Sequence, residues 1–260
     1  MKKYSGLLLF LPLFAFGLST VTSCGTSHEK SKTAGSHFRL GASLIQKQQL
    51  EKGLNHLLIS KKLDPSNPNT HNQVGVAYYL MGEYEHAILS FRDAISRKES
   101  YSEARNNLGR VLIDVKDFSG ARIQLQKAAS DLTYPHKDKV WLNFGLSYFF
   151  EFQYKKSLNF FLKSIATNRR NCLAHAYYGR ALVELEDFSK SAPALDKAIY
   201  QCRNRGFDEP HYYSAISLFR LGKKNLAISR LQEALKLYPK GPYRAKNLEM
   251  LELLNITDTK

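Results

Sequence analysis

Residues 68–101 read PNTHNQVGVAYYLMGEYEHAILSFRDAISRKESY, with small and apolar side chains at helical spacing on both sides of a short central turn. The first half presents Gly75, and the second half presents Ala87 and Phe91. Residues that recur every three or four positions lie on one face of a helix. The segment therefore predicts two antiparallel helices that approach closely at Gly75 and Ala87, with Phe91 filling the space between them.

This hairpin pattern recurs along the chain with a nearly fixed period. The slot of Gly75 is filled at intervals of 34 or 36 residues by Gly41, Gly75, Gly109, Gly145, Gly179 and Ala215. A period of this length indicates an array in which each unit buries its face on the next. We predict a repeat region over 36–241 with units at about 34–67, 68–101, 102–137, 138–171, 172–207 and 208–241. Leucines at helical spacing over 242–254 predict a capping helix, and 255–260 form a tail.

The unit resembles the tetratricopeptide repeat, whose eight signature positions favour Trp, Leu, Gly, Tyr, Ala, Phe, Ala and Pro. The only tryptophan of the chain, Trp141, occupies the Trp position of the fourth unit, and Gly145 follows at the Gly position. The resemblance implies an all-α fold. It implies a right-handed superhelical solenoid of about six helical hairpins plus the C-terminal capping helix.

The N-terminus has the composition of an export signal. Lys2 and Lys3 precede an apolar run from Leu7 to Leu18. A basic start followed by about a dozen apolar residues is typical of a secretory signal peptide, and the run is short for a membrane span. We therefore predict export, which argues against nucleic acid as the partner of a chain with a formal net charge of +15. That charge is compatible with an anionic membrane or an acidic protein.

Residues 21–24, Val-Thr-Ser-Cys, resemble the bacterial lipobox. The resemblance implies a lipoprotein signal peptide over 1–23 and acylation of Cys24, as with palmitate. Gly25 replaces the Asp that marks inner-membrane retention in enteric bacteria, so the implied location is the periplasmic face of the outer membrane. Residues 24–35 are small and polar and predict the lipidated N-terminus with a flexible tether. The alternative is cleavage elsewhere, which leaves Cys24 as a free thiol.

Two further cysteines, Cys172 and Cys202, stand at the start and the end of the fifth unit. In an antiparallel hairpin these two ends are neighbours, so a disulfide is geometrically possible and the periplasm permits it. The alternative is two buried free thiols.

The sequence predicts no enzyme, no cofactor, no metal and no small-molecule substrate. His37, His71, His175 and His211 share one slot of four units, but equivalent positions lie on the order of 10 Å apart, while ligands lie about 2 Å from a metal. We expect packed or half-buried histidines there. The metalloprotease, Cys-x-x-Cys, serine-hydrolase and phosphate-loop patterns are missing.

The first helices of a tetratricopeptide array line a concave groove, which the resemblance makes the partner-binding surface. Apolar and aromatic residues with two arginines suit a segment that has apolar anchors and some negative charge. For any one apolar residue, packing in the core is the alternative. The predicted groove residues are Phe38, Ile45, Asn72, Val76, Tyr79, Asn106, Arg110, Ile113, Leu142, Leu146, Phe149, Arg180, Val183, Tyr212, Ile216 and Phe219.

The signal, the lipobox and the six units together resemble the PilF/PilW family of type IV pilus biogenesis lipoproteins, or pilotins. The local match lies in EARNNLG at 103–109 and LTYP at 132–135. The resemblance implies a lipid-anchored chaperone that helps a secretin subunit reach the outer membrane and multimerise. One alternative is a general envelope-assembly scaffold for cell-wall enzymes or outer-membrane-protein assembly factors. A second is a binder of anionic surfaces or glycans, driven by the positive charge.

Overall fold

The computed structural model describes residues 23–203 and 205–256. The predicted signal peptide lies outside the described residues except for Ser23, as does the end of the predicted tail. The described residues form 13 α-helices and no strand, which confirms the all-α prediction. The helices are α1 Ser23–Gln46, α2 Leu50–Leu63, α3 Pro68–Leu80, α4 Tyr84–Arg97, α5 Ser102–Asp114, α6 Phe118–Ser130, α7 Lys137–Phe149, α8 Tyr154–Thr167, α9 Cys172–Glu184, α10 Phe188–Cys202, α11 Glu209–Arg220, α12 Lys224–Leu237 and α13 Arg244–Ile256.

Consecutive helices pair into six hairpins, from α1/α2 to α11/α12, and α13 packs on the last of them. Each hairpin crosses where a small residue meets a large one. A Cβ built on Gly75 would lie 2.7 Å from the Phe91 ring, and one on Gly179 would lie 2.6 Å from Leu195. Both large side chains are almost fully buried. The glycines therefore set the distance between the two helices of a unit.

Neighbouring units are joined by polar contacts that repeat the sequence period. Asn107 Nδ2 donates to Asn72 Oδ1 at 3.1 Å, and Arg230 donates to Asp196 at 2.7 Å. The partners in these pairs are 35 and 34 residues apart, so each bond joins nearly equivalent positions of adjacent units. Together with the hairpin pairing, this arrangement is a superhelical tetratricopeptide-type solenoid, as predicted.

The flexible tether predicted over 24–35 is wrong, because the described chain is already helical from Ser23. Between Ser27 and Thr33 the segment has neither Gly nor Pro, and lysine and glutamate favour helices. Thr33 Oγ1 donates to the carbonyl of Glu29 at 2.9 Å, within the helix. Ala34 is only 3% exposed, so packing of the first unit begins inside the predicted tether.

The fifth hairpin is closed by a disulfide between Cys172 and Cys202, whose Cα atoms are 5.0 Å apart. Cys172 begins α9 and Cys202 ends α10, and both are buried. Pro193 lies inside α10, which continues past it to Cys202. The bond therefore ties together the two ends of a hairpin whose second helix contains a proline.

Candidate functional site

The concave side of the middle units holds an open cavity of about 630 Å³. The first helices α3, α5, α7 and α9 supply most of its lining, and the connections before α9 and before α11 add the remainder. The lining residues are Tyr79, Asn106, Asn107, Arg110, Asp138, Lys139, Leu142, Asn143, Leu146, Asn168, Arg170, Asn171, Leu173, Tyr177, Arg205 and Phe207. We call this cavity the groove.

Asparagine side chains run along the floor of the groove. Asn143 Nδ2 donates to Asn106 Oδ1 at 3.0 Å, joining α7 to α5. Both side chains are about nine-tenths buried or more. A side-chain amide carries an acceptor and two donors, so a pair joined by one bond retains further hydrogen-bonding capacity. The floor can therefore pair with the main chain of an extended peptide.

The predicted groove residue Arg110 belongs to a cluster within the protein. Its Nε donates to the hydroxyl of Tyr79 at 3.1 Å, and its Nη2 donates to Asp114 Oδ1 at 3.0 Å. The Tyr79 hydroxyl donates to Asp114 Oδ2 at 2.8 Å. Burial raises the pKa of Tyr79, which keeps its hydroxyl protonated as a donor. Asp114 thus neutralises much of the charge of Arg110.

Arg180 is held in the same way. Its Nη1 donates to Glu209 Oε1 at 2.7 Å, and Glu184 lies 3.7 Å from its Nε. The guanidinium stacks on the rings of Phe149, at 5.0 Å, and Tyr213, at 4.9 Å. Asp114 and Glu184 thus pair with the two arginines of the predicted groove. Each lies four residues after its arginine, and this i,i+4 spacing is a signal that could have revealed both pairs.

The cations left for a partner are Lys139, Arg170 and Arg205. All three line the groove and are exposed. Among the described residues, no carboxylate lies within ion-pair distance of them. Sequence reasoning missed Arg170 and Arg205 because they lie in the connections between units, outside the helical slots used for the prediction.

The predicted groove residues divide by burial. Those buried in contact with other helices are Ile45, Asn72, Asn106, Ile113, Leu142, Leu146 and Phe149. Those partly exposed are Phe38, Val76, Tyr79, Arg110, Arg180, Val183, Tyr212 and Ile216, and Phe219 is 41% exposed. The structure brings Tyr79, Asn106, Arg110, Leu142 and Leu146 together in the groove. The buried set serves packing first, which was the alternative stated for the apolar members.

The shared histidine slot makes structural hydrogen bonds. His71 Nε2 lies 2.9 Å from the carbonyl of Pro65, and His175 Nε2 lies 3.0 Å from that of Arg169. In the third unit, Arg105 occupies this slot and donates to the carbonyl six residues earlier. In these three units the slot therefore binds a carbonyl in the connection between units, whereas His37 in the first unit contacts His56, with 2.9 Å between the two Nδ1 atoms. The described part of the chain has no group of three or more His, Cys, Asp or Glu arranged to hold a metal ion.

Cys24 lies in the first turn of α1, the longest helix described, which has 24 residues. None of the helices in the described segments combines the length and apolar character needed to cross a bilayer.

Comparison with known proteins supports the reading of the repeats. A tetratricopeptide-repeat family model matches residues 75–133. The chain has a tetratricopeptide-repeat fold. It is 26% identical over 166 residues to the type IV pilus assembly protein PilF of Pseudomonas aeruginosa, covering 60% of this chain and 65% of that protein. It is also 26% identical over 199 residues to anaphase-promoting complex subunit 3 of Schizosaccharomyces pombe, covering 76% of this chain and 29% of that protein. This repeat protein thus spans less than two thirds of either relative.

Solved structures show the same fold. The structure of Pseudomonas aeruginosa PilF superposes with a TM-score of 0.72 at 19% identity, covering 85% of this chain and 99% of that one. The structure of PilW, described as a widely conserved type IV pilus biogenesis factor, gives 0.75 at 18% identity, covering 83% and 98%. At these identities the likeness concerns the fold of this repeat protein alone.

Proposed function

We propose that the chain is a non-enzymatic adaptor, held by a lipid on Cys24 at the periplasmic face of the outer membrane, that binds a peptide segment of a partner in the groove. The observation that carries this proposal is the cavity of about 630 Å³ on the concave face, in which amides, exposed cations and apolar side chains converge. Such a combination suits a peptide better than a small substrate, because it is open and continuous over several units.

Three kinds of contact follow from the lining. The amides of Asn106 and Asn143 pair with the main chain of the bound segment. Lys139 and Arg170 at the rim attract acidic side chains, which speeds association and sets the register. Leu173 on α9, which is 40% exposed, offers an apolar anchor point in the groove.

We infer that the partner is a secretin subunit and that the protein acts as a pilotin, assisting secretin localisation and multimerisation in type IV pilus biogenesis. Support comes from the 26% identity to a type IV pilus assembly protein and from the shared fold of PilF and PilW. The lipobox-like sequence ending at Cys24 supports the anchored location.

The test is deletion of the gene followed by complementation with groove variants. The variant Lys139→Glu/Leu173→Asp reverses a rim charge and removes the exposed apolar anchor. We expect the deletion strain to lose secretin multimers and surface pili, and this variant to restore neither. The control, Leu162→Asp/Lys155→Glu, makes the same changes at exposed positions of α8, a second helix, and should restore both.

Normal secretin multimers in the deletion strain would refute the pilotin assignment. Equal behaviour of the two variants would refute the groove as the binding surface. Co-purification of cell-wall enzymes in place of a secretin would favour the general envelope scaffold.

The anchor is tested separately with labelled palmitate. The wild-type chain should incorporate the label and sediment with outer membranes, and Cys24→Ser should abolish incorporation. Labelling that persists in Cys24→Ser would place the lipid on another residue, and a wild-type chain without label would refute the palmitate anchor.

A further inference from the structure

The two long edges of the solenoid differ in charge. The junction edge comprises the segments that connect units, each taken from the last turn of one helix to the first residue of the next: 60–68, 94–102, 127–137, 164–172, 199–209 and 234–244. These segments contain 13 Lys and Arg against 5 Asp and Glu, and each has at least two cations. The hairpin-turn edge, bounded in the same way, comprises 43–50, 77–84, 111–118, 146–154, 181–188 and 217–224. It contains 5 cations against 7 acids.

Contacts between units make the junction edge one continuous surface. Arg97 Nε donates across to the carbonyl of Pro65 at 2.7 Å. The backbone N–H of Tyr243 donates to Asp208 Oδ2 at 3.0 Å and joins the last two segments. Because antiparallel hairpins stack side by side, every connection between units emerges on this same side. The cationic clusters therefore follow one another at about one helix diameter, ~10 Å.

The positive charge of the junction edge is exposed and largely uncompensated. Lys62, Lys127 and Lys240 are exposed, and no carboxylate in the described chain lies within ion-pair distance of them. Two of the five acids, Asp208 and Glu209, are only 1% and 7% exposed, so they face inward. Most of the remaining charge faces solvent.

Apolar side chains project from the same segments. Leu132 is 88% exposed between α6 and α7, Tyr200 is 60% exposed near the end of α10, and Leu237 is 55% exposed at the end of α12. Cations with interspersed leucine and tyrosine form a surface suited to the headgroup region of a membrane, where amphipathic rings and apolar chains enter the acyl boundary.

Helix α1 projects beyond this edge. It has 24 residues against 14 in α2, and the turn between Gln46 and Leu50 holds their other ends together. At ~1.5 Å per residue the surplus is ~15 Å, and it lies on the junction side. The residue at the tip is Ser23, followed by Cys24.

We propose that the junction edge lies against an anionic phospholipid bilayer, with its lysines and arginines on the headgroup phosphates. A bilayer fits better than an acidic protein, because the charges are spread over all six junctions and do not converge on a pocket. It also fits because the Cys24 end of α1 lies on this side. The proposal does not depend on the groove binding a protein.

The test measures binding of the full chain to vesicles of phosphatidylcholine alone and of phosphatidylcholine with phosphatidylglycerol. Binding to neutral vesicles measures the contribution of the apolar N-terminal run. The additional binding to anionic vesicles, which we call the excess, measures the contribution of the junction edge. The junction variant is Lys62→Gln/Lys127→Gln/Lys240→Gln. The control, Lys47→Gln/Lys116→Gln/Lys223→Gln, removes three exposed cations from the hairpin-turn edge. Each cation near an anionic surface is worth about a factor of five, so the junction variant should lose about 100-fold of the excess.

The control should lose far less, since the two edges are separated by the length of a helix, ~20 Å, which exceeds the screening distance of ~8 Å in physiological salt. Circular dichroism checks that both variants are folded. Equal losses in the two variants, or no excess on anionic vesicles with the wild type, would overturn the proposal. A junction variant that loses binding to polyglutamate but keeps its vesicle binding would assign the edge to an acidic protein instead.

Discussion

Residues of the same type in this solenoid have different roles, which depend on what each of them contacts. Gly75 brings two helices together, while Gly35 in α1 lies in ordinary packing, where an added Cβ would meet only Arg39 Nη1 at 3.5 Å. His71 bonds a carbonyl, whereas His211 in the same slot is 1% exposed and neither of its ring nitrogens has a hydrogen-bond partner in the described structure. The position of a residue within the repeat therefore predicts its burial better than it predicts its hydrogen bonds.

The first prediction concerns the two glycines. Gly75→Ala should lower the free energy of unfolding by up to about 2 kcal/mol, because overpacking against Phe91 costs about 1–3 kcal/mol and the gain in helix propensity offsets about 1 kcal/mol of it. Gly35→Ala should raise the free energy of unfolding by up to about 1 kcal/mol, because it gains helix propensity without a clash. Urea unfolding of both variants measures the difference. Stabilisation by Gly75→Ala would contradict the close crossing.

The second prediction concerns His211. Burial lowers the pKa of His211 to about 4, against 6.5 for an unperturbed histidine. As the pH falls below 6.5, the unfolded chain therefore binds this proton before the folded chain does. The free energy of unfolding decreases between pH 6.5 and pH 4 as a result. From pH 7 to pH 5 this loss is about 2 kcal/mol. His211→Phe, which keeps an aromatic ring beside Tyr238, should reduce the pH-dependent loss by that amount in paired urea titrations. An unchanged loss would contradict a neutral buried imidazole.

At the scale of helices, the hairpins were predictable because each of them buries a stripe of apolar and small residues. The first half of helix α1 was not predicted, because it has no such stripe of apolar residues. It is helical because its residues favour helices and because it continues from the packed first unit. In the groove, the floor residues Asn106 and Leu146 could be placed from their slots. The pairs of Arg110 with Asp114 and of Arg180 with Glu184 follow from their i,i+4 spacing. The bond from Arg180 to Glu209 could not be predicted, because it joins α9 to α11 and depends on the direction in which the arginine points.

The disulfide of the fifth hairpin gives a prediction at this scale. Cys172 and Cys202 are 30 residues apart, and closing such a loop contributes about 3–4 kcal/mol in the chain-entropy model. Cys172→Ser/Cys202→Ser should lower the free energy of unfolding by about that amount. A reductant should destabilise the wild type similarly and leave the double variant unchanged. A wild type that is insensitive to reductant under unfolding conditions would show that the bond adds little.

For the whole molecule, the apolar core described here falls into three clusters. The largest runs from Ala87 in α4 to Ala181 in α9, and smaller clusters serve α1–α3 and α11–α13. None of the three clusters joins α10 to α11, where the contacts include the Ser191 and Ser217 hydroxyls, 2.8 Å apart, and the buried Asp208. A solenoid held by nearest-neighbour contacts is weakest where one interface buries the least apolar surface.

We therefore expect the α11–α13 block to open without the rest of the chain. Native-state hydrogen exchange should show the slowest amides in α5–α8 and earlier exchange throughout α11–α13, in one cooperative step. Uniform protection from α3 to α13 would contradict this division.

The helical form of α1 has a mechanical consequence. A chain that is anchored through a flexible segment samples many orientations, whereas a chain whose anchor lies at the end of a rigid helix samples few, and contact of the junction edge with headgroups selects among those. If Cys24 carries the lipid, the concave face of the solenoid would open parallel to the membrane plane. A membrane-bound partner would then reach the groove by lateral diffusion in two dimensions.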